Sequence, residues 1–314
     1  MLGTVAGIIA VSTLALSIVL SMFTSFSIPL ILASLTIVVA VNVLQWLFAP
    51  YIIEALYRVR HVDPSDPRYG WLASMIRDLA TRCGLSKIPT VGIAEIDIPN
   101  AFAYESPLTG PRVAVTRRML QIVPRDELEA VLAHELGHIK HRDVVVMMLV
   151  SILPALAYWL GYVLMRMSFY ASMDRERSAS PLLFVAVGAL LVAISFLLKL
   201  FVLHLSRLRE YYADSFAVQH VVRGGTKLRR ALARILVDTG RVRPSEIARH
   251  SKLRMLFIED PEHSVVVPRG YSIDRIVEEI ERSPPKSDIL STHPHPAKRF
   301  RFLKQLDEAI WGSR

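Results

Sequence analysis

The sequence predicts an α-helical membrane protein, four transmembrane helices carrying a polar α+β domain that is built around a metal site. Three observations predict it. Hydrophobic residues make up 52% of the 314, more than an ordinary soluble domain carries. Four windows, residues 2–23, 28–49, 144–165 and 182–205, are long enough to span a bilayer, and only the last contains a Lys, Arg, Asp or Glu, Lys199. The polar segments 51–143 and 206–314 separate and follow the two pairs of windows, and the first of them contains HELGH, His134 to His138.

The domain plan follows directly: a transmembrane hairpin in 1–50, a polar segment 51–143, a second hairpin in 144–205, and a second polar segment 206–314. The first window lacks a basic n-region and is followed within a few residues by another span, so it reads as an anchor and not a signal peptide. Lys199 lies one to two turns from the end of its window; it either snorkels to the headgroups or marks a polar site within the membrane.

Residues 50–143 hold 12 Lys and Arg and residues 206–314 hold 21 of the total of 37. The excess of positive charge predicts that both polar segments face the cytoplasm, in a multi-pass protein of the plasma or inner membrane. The net charge of +9 lies beside spanning helices. It implies an anionic lipid surface as partner, not nucleic acid. The lone cysteine, Cys83, excludes a disulfide within the chain and reads as a small buried hydrophobe.

In chain order, Tyr51 to His61 leaves the membrane with Arg58 and Arg60 as interface anchors, and Pro64 to Pro67 makes a turn. Arg68 to Cys83 predicts a helix with Leu72, Met75, Ile76 and Leu79 on one side and Gly84 as its cap. Three β-prone runs follow, Thr90 to Ile96, Ala101 to Glu105 and Arg112 to Thr116. The next helix carries HELGH: Pro124 suits its first turn, Asp126 and Glu127 its positive end, and Leu128, Val131, Leu132 and Leu136 its apolar stripe. After the second hairpin, helices are expected over Lys227 to Thr239, capped by Gly240, over Pro244 to Phe257, over Ser272 to Arg282 with Ser272 as cap, and from Ala297 to Trp311.

On a helix His134 and His138 stand one turn apart and can grip one ion, with Glu135 beside them. REYYAD at Arg209 to Asp214 offers Glu210 as a third ligand. Three protein ligands and an open position match catalytic zinc, one per chain, whereas structural zinc is usually closed by four ligands, mostly cysteines. Such an ion acidifies water and polarises a peptide carbonyl, and Glu135 is then the general base. Asp214, one turn after Glu210, is placed either to hold the outer nitrogen of a ligand histidine or as a plain helix-surface acid.

With two spans, PNAFA at Pro99 to Ala103, HELGH, two further spans, REYYAD and STHP at Ser291 to Pro294 in this order, the chain resembles the HtpX family of membrane-embedded zinc endopeptidases, relatives of the CAAX prenyl proteases. The resemblance implies a gluzincin-like protease domain with His134, His138 and Glu210 as ligands, Glu135 as base and Asp214 behind them. It implies protein or peptide substrates, damaged or misfolded membrane proteins cleaved on the cytoplasmic side. PNAFA is similar to the family's edge strand, so that Asn100, Ala101, Phe102 and Ala103 would bind substrate backbone by strand addition; a core strand led by a turn asparagine fits the residues as well. His293 and Arg299 are similar to a late histidine and arginine that would stabilise an oxyanion, with His295 a competitor. The chain departs from the family where Tyr104 to Pro111 replaces a shorter glycine-rich turn and Arg117-Arg118 a smaller pair. A prenyl-peptide protease of narrower substrate and a non-catalytic metal-binding scaffold are the alternative readings.

Overall fold

The computed structural model describes residues 28–171, 181–241, 272–285 and 287–312. The first spanning window, 2–23, and the helix expected over Pro244 to Phe257 lie outside these residues. Two compact units divide the chain: a polar one of Leu47–Val144 and Ser206–Arg314, and an apolar one of Val145–Leu205 with the segment that ends at Trp46.

The polar unit starts at the end of helix α1 (Ile28–Tyr57), which contains the second window and runs on past it. Strand β1 (Val59–His61) follows, then helix α2 (Gly70–Arg82), ended by Gly84 at φ +61°. Strands β2 (Thr90–Ala94), β3 (Ala101–Ser106) and β4 (Gly110–Thr116) complete a sheet of order β1-β2-β4-β3. β2 and β4 are parallel, and the other pairs antiparallel, so β3 is an edge strand. The residues 107–109 that join β3 to β4 are a tight turn, and Pro111 is tolerated because it faces Glu105, a pair that exchanges no ladder hydrogen bond.

A short helix α3 (Arg117–Ile122), its first turn capped by the Thr116 hydroxyl accepting from the Met119 N–H, leads into α4 (Arg125–Lys140). Neither α3 nor β1 is predicted by periodicity, because six and three residues are too few to show one. Arg117 and Arg118 are taken up in ion pairs, the first with Asp97 at 3.2 Å and the second with Asp238 at 2.6 Å.

The C-terminal part of the long helix α6 (Pro181–His220) returns the chain to this unit, and α7 (Gly224–Arg241), α8 (Ile273–Arg282) and α9 (Pro296–Trp311) follow. The predicted stop at Gly240 is corrected: Gly240 lies inside α7. The start of α7 is also three residues earlier than expected. Asp307 of α9 accepts the N–H of Gly225 at 3.0 Å and of Thr226 at 3.1 Å, so its first turn is capped from another element.

The core lies between α2, the inner face of the sheet, α4 and α7. Leu72, Ile76 and Leu79, Val113 and Val115, Leu128, Leu132 and Leu136, Leu228 and Leu232, and Phe300 and Leu303 of α9 form one buried cluster that also takes in Cys83. Each such side chain contributes about 1.5–3 kcal/mol when fully buried. Burial pushes the Cys83 thiol up to about 11, which leaves it inert as a nucleophile at neutral pH. Buried Glu127 fixes α4 to α7 by accepting from Arg230 Nε at 3.0 Å and Arg234 Nε at 2.8 Å.

In the apolar unit, α5 (Asp143–Ala171), with Pro154 inside it, and the 40-residue α6 are each long and apolar enough to cross a membrane. Their backbones meet at glycine: a Cβ on Gly161 would fall 2.6 Å from the Gly188 carbonyl oxygen, and one on Gly188 equally close to that of Gly161. Leu149, Leu153 and Leu160 of α5 and Leu190, Leu197 and Phe201 of α6 face outward, the reverse of a water-soluble helix pair. The described residues thus hold two candidate spans, together with the second window as part of α1.

Candidate metal centre

The site is assembled from four helices, α4, the start of α5, α6 and α9, and the edge of the sheet. On α4, His134 and His138 project their Nε2 atoms to within 3.1 Å of each other. Helix α6 passes close by because Gly137 has no side chain: a Cβ there would stand 3.2 Å from the Ala213 Cα and from Phe216. That approach brings Glu210 in, with Oε2 3.7 Å from His134 Nε2 and Oε1 3.7 Å from His138 Nε2. One ligand atom from each of the three residues lies within 4.8 Å of the others.

A carboxylate stands behind each histidine. Asp214 Oδ1 is 3.0 Å from His134 Nδ1, and Asp143 Oδ2 is 2.7 Å from His138 Nδ1. An Nδ1–H given to a carboxylate leaves the Nε2 lone pair outward on both rings. Two lone pairs and a carboxylate turned to one point repel unless a cation lies between them. The Glu210 Oε2 atom is buried and lacks a hydrogen-bond partner, so the donor set fits a divalent cation.

Each carboxylate is held in turn by an arginine. Arg299, from α9, donates to Asp214 through Nε at 2.8 Å and Nη2 at 2.7 Å, and its Nη1 lies 3.6 Å from Glu210 Oε2. Arg209, next to Glu210 in sequence, pairs with Asp143 and donates to the His141 carbonyl at 3.0 Å. Sequence reasoning missed Asp143 and Arg209. Asp143 is the first residue of α5, where an acid reads simply as a partner of the helix dipole, and Arg209 lies in REYYAD, where the two acids are the ligand types.

His293 Nδ1 stands 3.3 Å from Glu210 Oε2. His295 is otherwise engaged: it is the N-cap of α9, its Nδ1 accepting from the Ala297 N–H at 3.2 Å. Arg299 is fully buried behind His134; Nε and Nη2 go to Asp214, and Nη2 also lies 3.3 Å from both ring nitrogens of His134.

Glu135 lies on the sheet side. Its Oε2 accepts the N–H of Ala103 at 2.9 Å. Burial raises its carboxyl to about 7, assisted by the Glu210 charge and opposed by His138, the Ala103 N–H and Arg299. Burial and then Arg299 lower His134 to about 4 against the pull of Asp214, which keeps its imidazole neutral and fit to be a ligand. A carboxylate poised near neutrality beside a cation site can take and return a proton.

The Ala103 N–H points off the sheet because β3 and β4 alternate. The Thr116 N–H donates to the Asn100 carbonyl at 2.9 Å, so Asn100, Phe102 and Tyr104 turn their backbone to β4, while Ala101, Ala103 and Glu105 turn theirs to the free edge. Asn100 is buried at the head of the strand, its own N–H donating to Thr116 Oγ1 at 2.9 Å. The Phe102 ring packs in a second small core, 5.1 Å from the Tyr57 ring.

Among known proteins, peptidase family M48 matches residues 67–307. A protein named Protease HtpX homolog from Aeropyrum pernix is 41% identical over 285 residues, 87% of this chain and 85% of the relative. One of the same name from Thermoplasma acidophilum is 37% identical over 89% of this chain and 87% of its own. Protease HtpX homolog 2 from Saccharolobus solfataricus is 37% identical over 90% and 88%. A solved structure, the crystal structure of S. mikatae Ste24p, shares the fold with a TM-score of 0.50 at 19% identity, over 85% of this chain. The chain spans only 57% of the length of that structure, and the likeness is one of fold.

Proposed function

The chain belongs to peptidase family M48 and is a membrane-associated metalloprotease acting on proteins or peptides, and from that premise we propose that it is a zinc endopeptidase whose ligands are His134, His138 and Glu210. The observation that carries the reading is their convergence on one point with Glu135 directly against the free edge of β3. Zinc suits the spacing, since two nitrogens about 2.0–2.1 Å from one ion at a tetrahedral angle stand roughly 3.3 Å apart, close to the 3.1 Å between the two Nε2 atoms.

When bound, zinc supplies positive charge that acidifies water and polarises the scissile carbonyl. Glu135 takes the proton from the attacking water as its oxygen bonds to the carbonyl carbon, then gives that proton to the nitrogen as the C–N bond breaks. Asp214 and Asp143 orient the two histidines, and Arg299 and Arg209 hold those carboxylates. A substrate strand adds to the edge of β3 through the backbone of Ala101 and the carbonyl of Ala103, whose N–H is held by Glu135, with Asn100 and Phe102 fixing the strand from behind. His293, beside Glu210, acts on the developing oxyanion, with Arg299 contributing its charge from behind His134.

The apolar helices and the basic flanks support a multi-pass protein with four spans, its active site facing the cytoplasm and an anionic lipid surface beside it. Its substrates are damaged or misfolded membrane proteins. Zinc content and cleavage of unfolded casein by the full chain in detergent test the reading. The wild type is expected to hold one zinc per chain and to cleave; Glu135→Gln is expected to keep the zinc and lose cleavage. Cleavage by that variant near the wild-type rate would remove Glu135 from the mechanism.

A further inference from the structure

The segment that joins α8 to α9 carries His293 to Glu210, and its tip is apolar. Ile289 is 57% exposed and the adjacent Leu290 74%. The charged side of the segment is turned inward: Asp288 is buried, accepting from Lys298 at 2.8 Å and from the His295 N–H at 3.1 Å. Arg207 clamps the tip from both sides, its Nη1 donating to the Ile289 carbonyl at 3.1 Å and to the Ser291 carbonyl at 2.8 Å. Arg207 is the second residue beyond the apolar run 182–205 on the same unbroken helix, about 3 Å of rise past its end. The tip is therefore tied, by one side-chain length, to the level where the helix leaves hydrocarbon.

We propose that Ile289 and Leu290 form a lip that inserts into the headgroup boundary of the bilayer beside α6, anchoring to lipid the segment that carries His293. The inference rests on the reading of 182–205 as a membrane span. Two adjacent aliphatic side chains held at that level lose water contact by entering the interface, and a guanidinium there sits among lipid phosphates. A clamp on the backbone to either side of Leu290 keeps the tip pointing one way, which a loop merely exposed to water has no use for.

The test uses the full chain with Cys83→Ala and single cysteines, Leu290→Cys, Phe196→Cys and Leu108→Cys, each carrying an environment-sensitive fluorophore. Leu108, 56% exposed in the turn between β3 and β4, is the aqueous control, and Phe196, within the apolar run, the membrane control. In vesicles of phosphatidylcholine and phosphatidylglycerol containing nitroxide-labelled lipid, the Leu290 probe is expected to shift to the blue and to be quenched by nitroxide just below the headgroup. The Phe196 probe is expected to be quenched by nitroxide along the acyl chain, and the Leu108 probe by neither. A Leu290 probe that behaves like Leu108 while Phe196 is quenched overturns the lip. So does one that shifts only on addition of unfolded casein, which would make it a substrate contact. An unquenched Phe196 probe removes the span itself, a separate failure.

Discussion

The two histidines of HELGH sit one turn apart on the same helix, yet they are held in opposite ways. His134 is 1% exposed, and the Asp214–Arg299 pair behind it is wholly buried, with its arginine brought from α9. His138 is 20% exposed, and its Asp143–Arg209 pair is partly open and drawn from residues bordering the two apolar helices. One relay, histidine to carboxylate to arginine, is thus built once in the dry core and once at the rim. Breaking a buried pair leaves a charge without compensation and costs about 3–5 kcal/mol, whereas water can replace a partner at the rim. The inner relay should therefore set the stability of the unit as well as its affinity for metal, and the outer relay chiefly the affinity.

The largest effect is expected at Glu210, which both histidines face. Glu210→Ala is expected to weaken zinc binding by more than about 100-fold, beyond the loss of an outer partner, and to abolish cleavage; titration of the metal-free protein with zinc measures the first. Next comes Asp214→Ala, which strands Arg299: unfolding of the polar unit should become easier by about 3–5 kcal/mol and zinc affinity should fall roughly 10–100-fold. Asp143→Ala should lower zinc affinity by about 10-fold, the lower end of that range, with a shift in denaturant midpoint well below that of Asp214→Ala. If the two alanine variants destabilise the protein equally, the distinction between dry and wet relays is wrong. Smallest is Asp143→Asn, which keeps an acceptor for the His138 Nδ1–H and should recover most of the affinity that Asp143→Ala loses, on the order of 1 kcal/mol.

The difference between the relays also marks what was legible in the sequence. HELGH, Glu210 and Asp214 could be read because helical spacing turns a local string into a face, and the site geometry brings those residues together. The second carboxylate could not be read that way, because Asp143 lies across a break where Arg142 takes a positive φ and no periodicity connects it to His138. Resemblance assigns Arg299 to the reaction itself, and only the fold shows its Nε and Nη2 donating to Asp214. The same limit applies to helix ends: Ser272 caps its own helix and was readable, while α7 is capped by Asp307, 82 residues away from Gly225.

The dependence of the inner relay on α9 gives the site an order in time. His134 and Arg299 are separated by 165 residues, so a ribosome adding about 5–20 residues per second delivers the first roughly ten to thirty seconds before the second. Over that interval the HELGH helix, the edge strand and then Glu210 can exist in the cell while Asp214 still lacks its arginine and α7 its cap. The inner relay is thus the last part of the site to close, and it waits on a helix 165 residues beyond the histidine it serves.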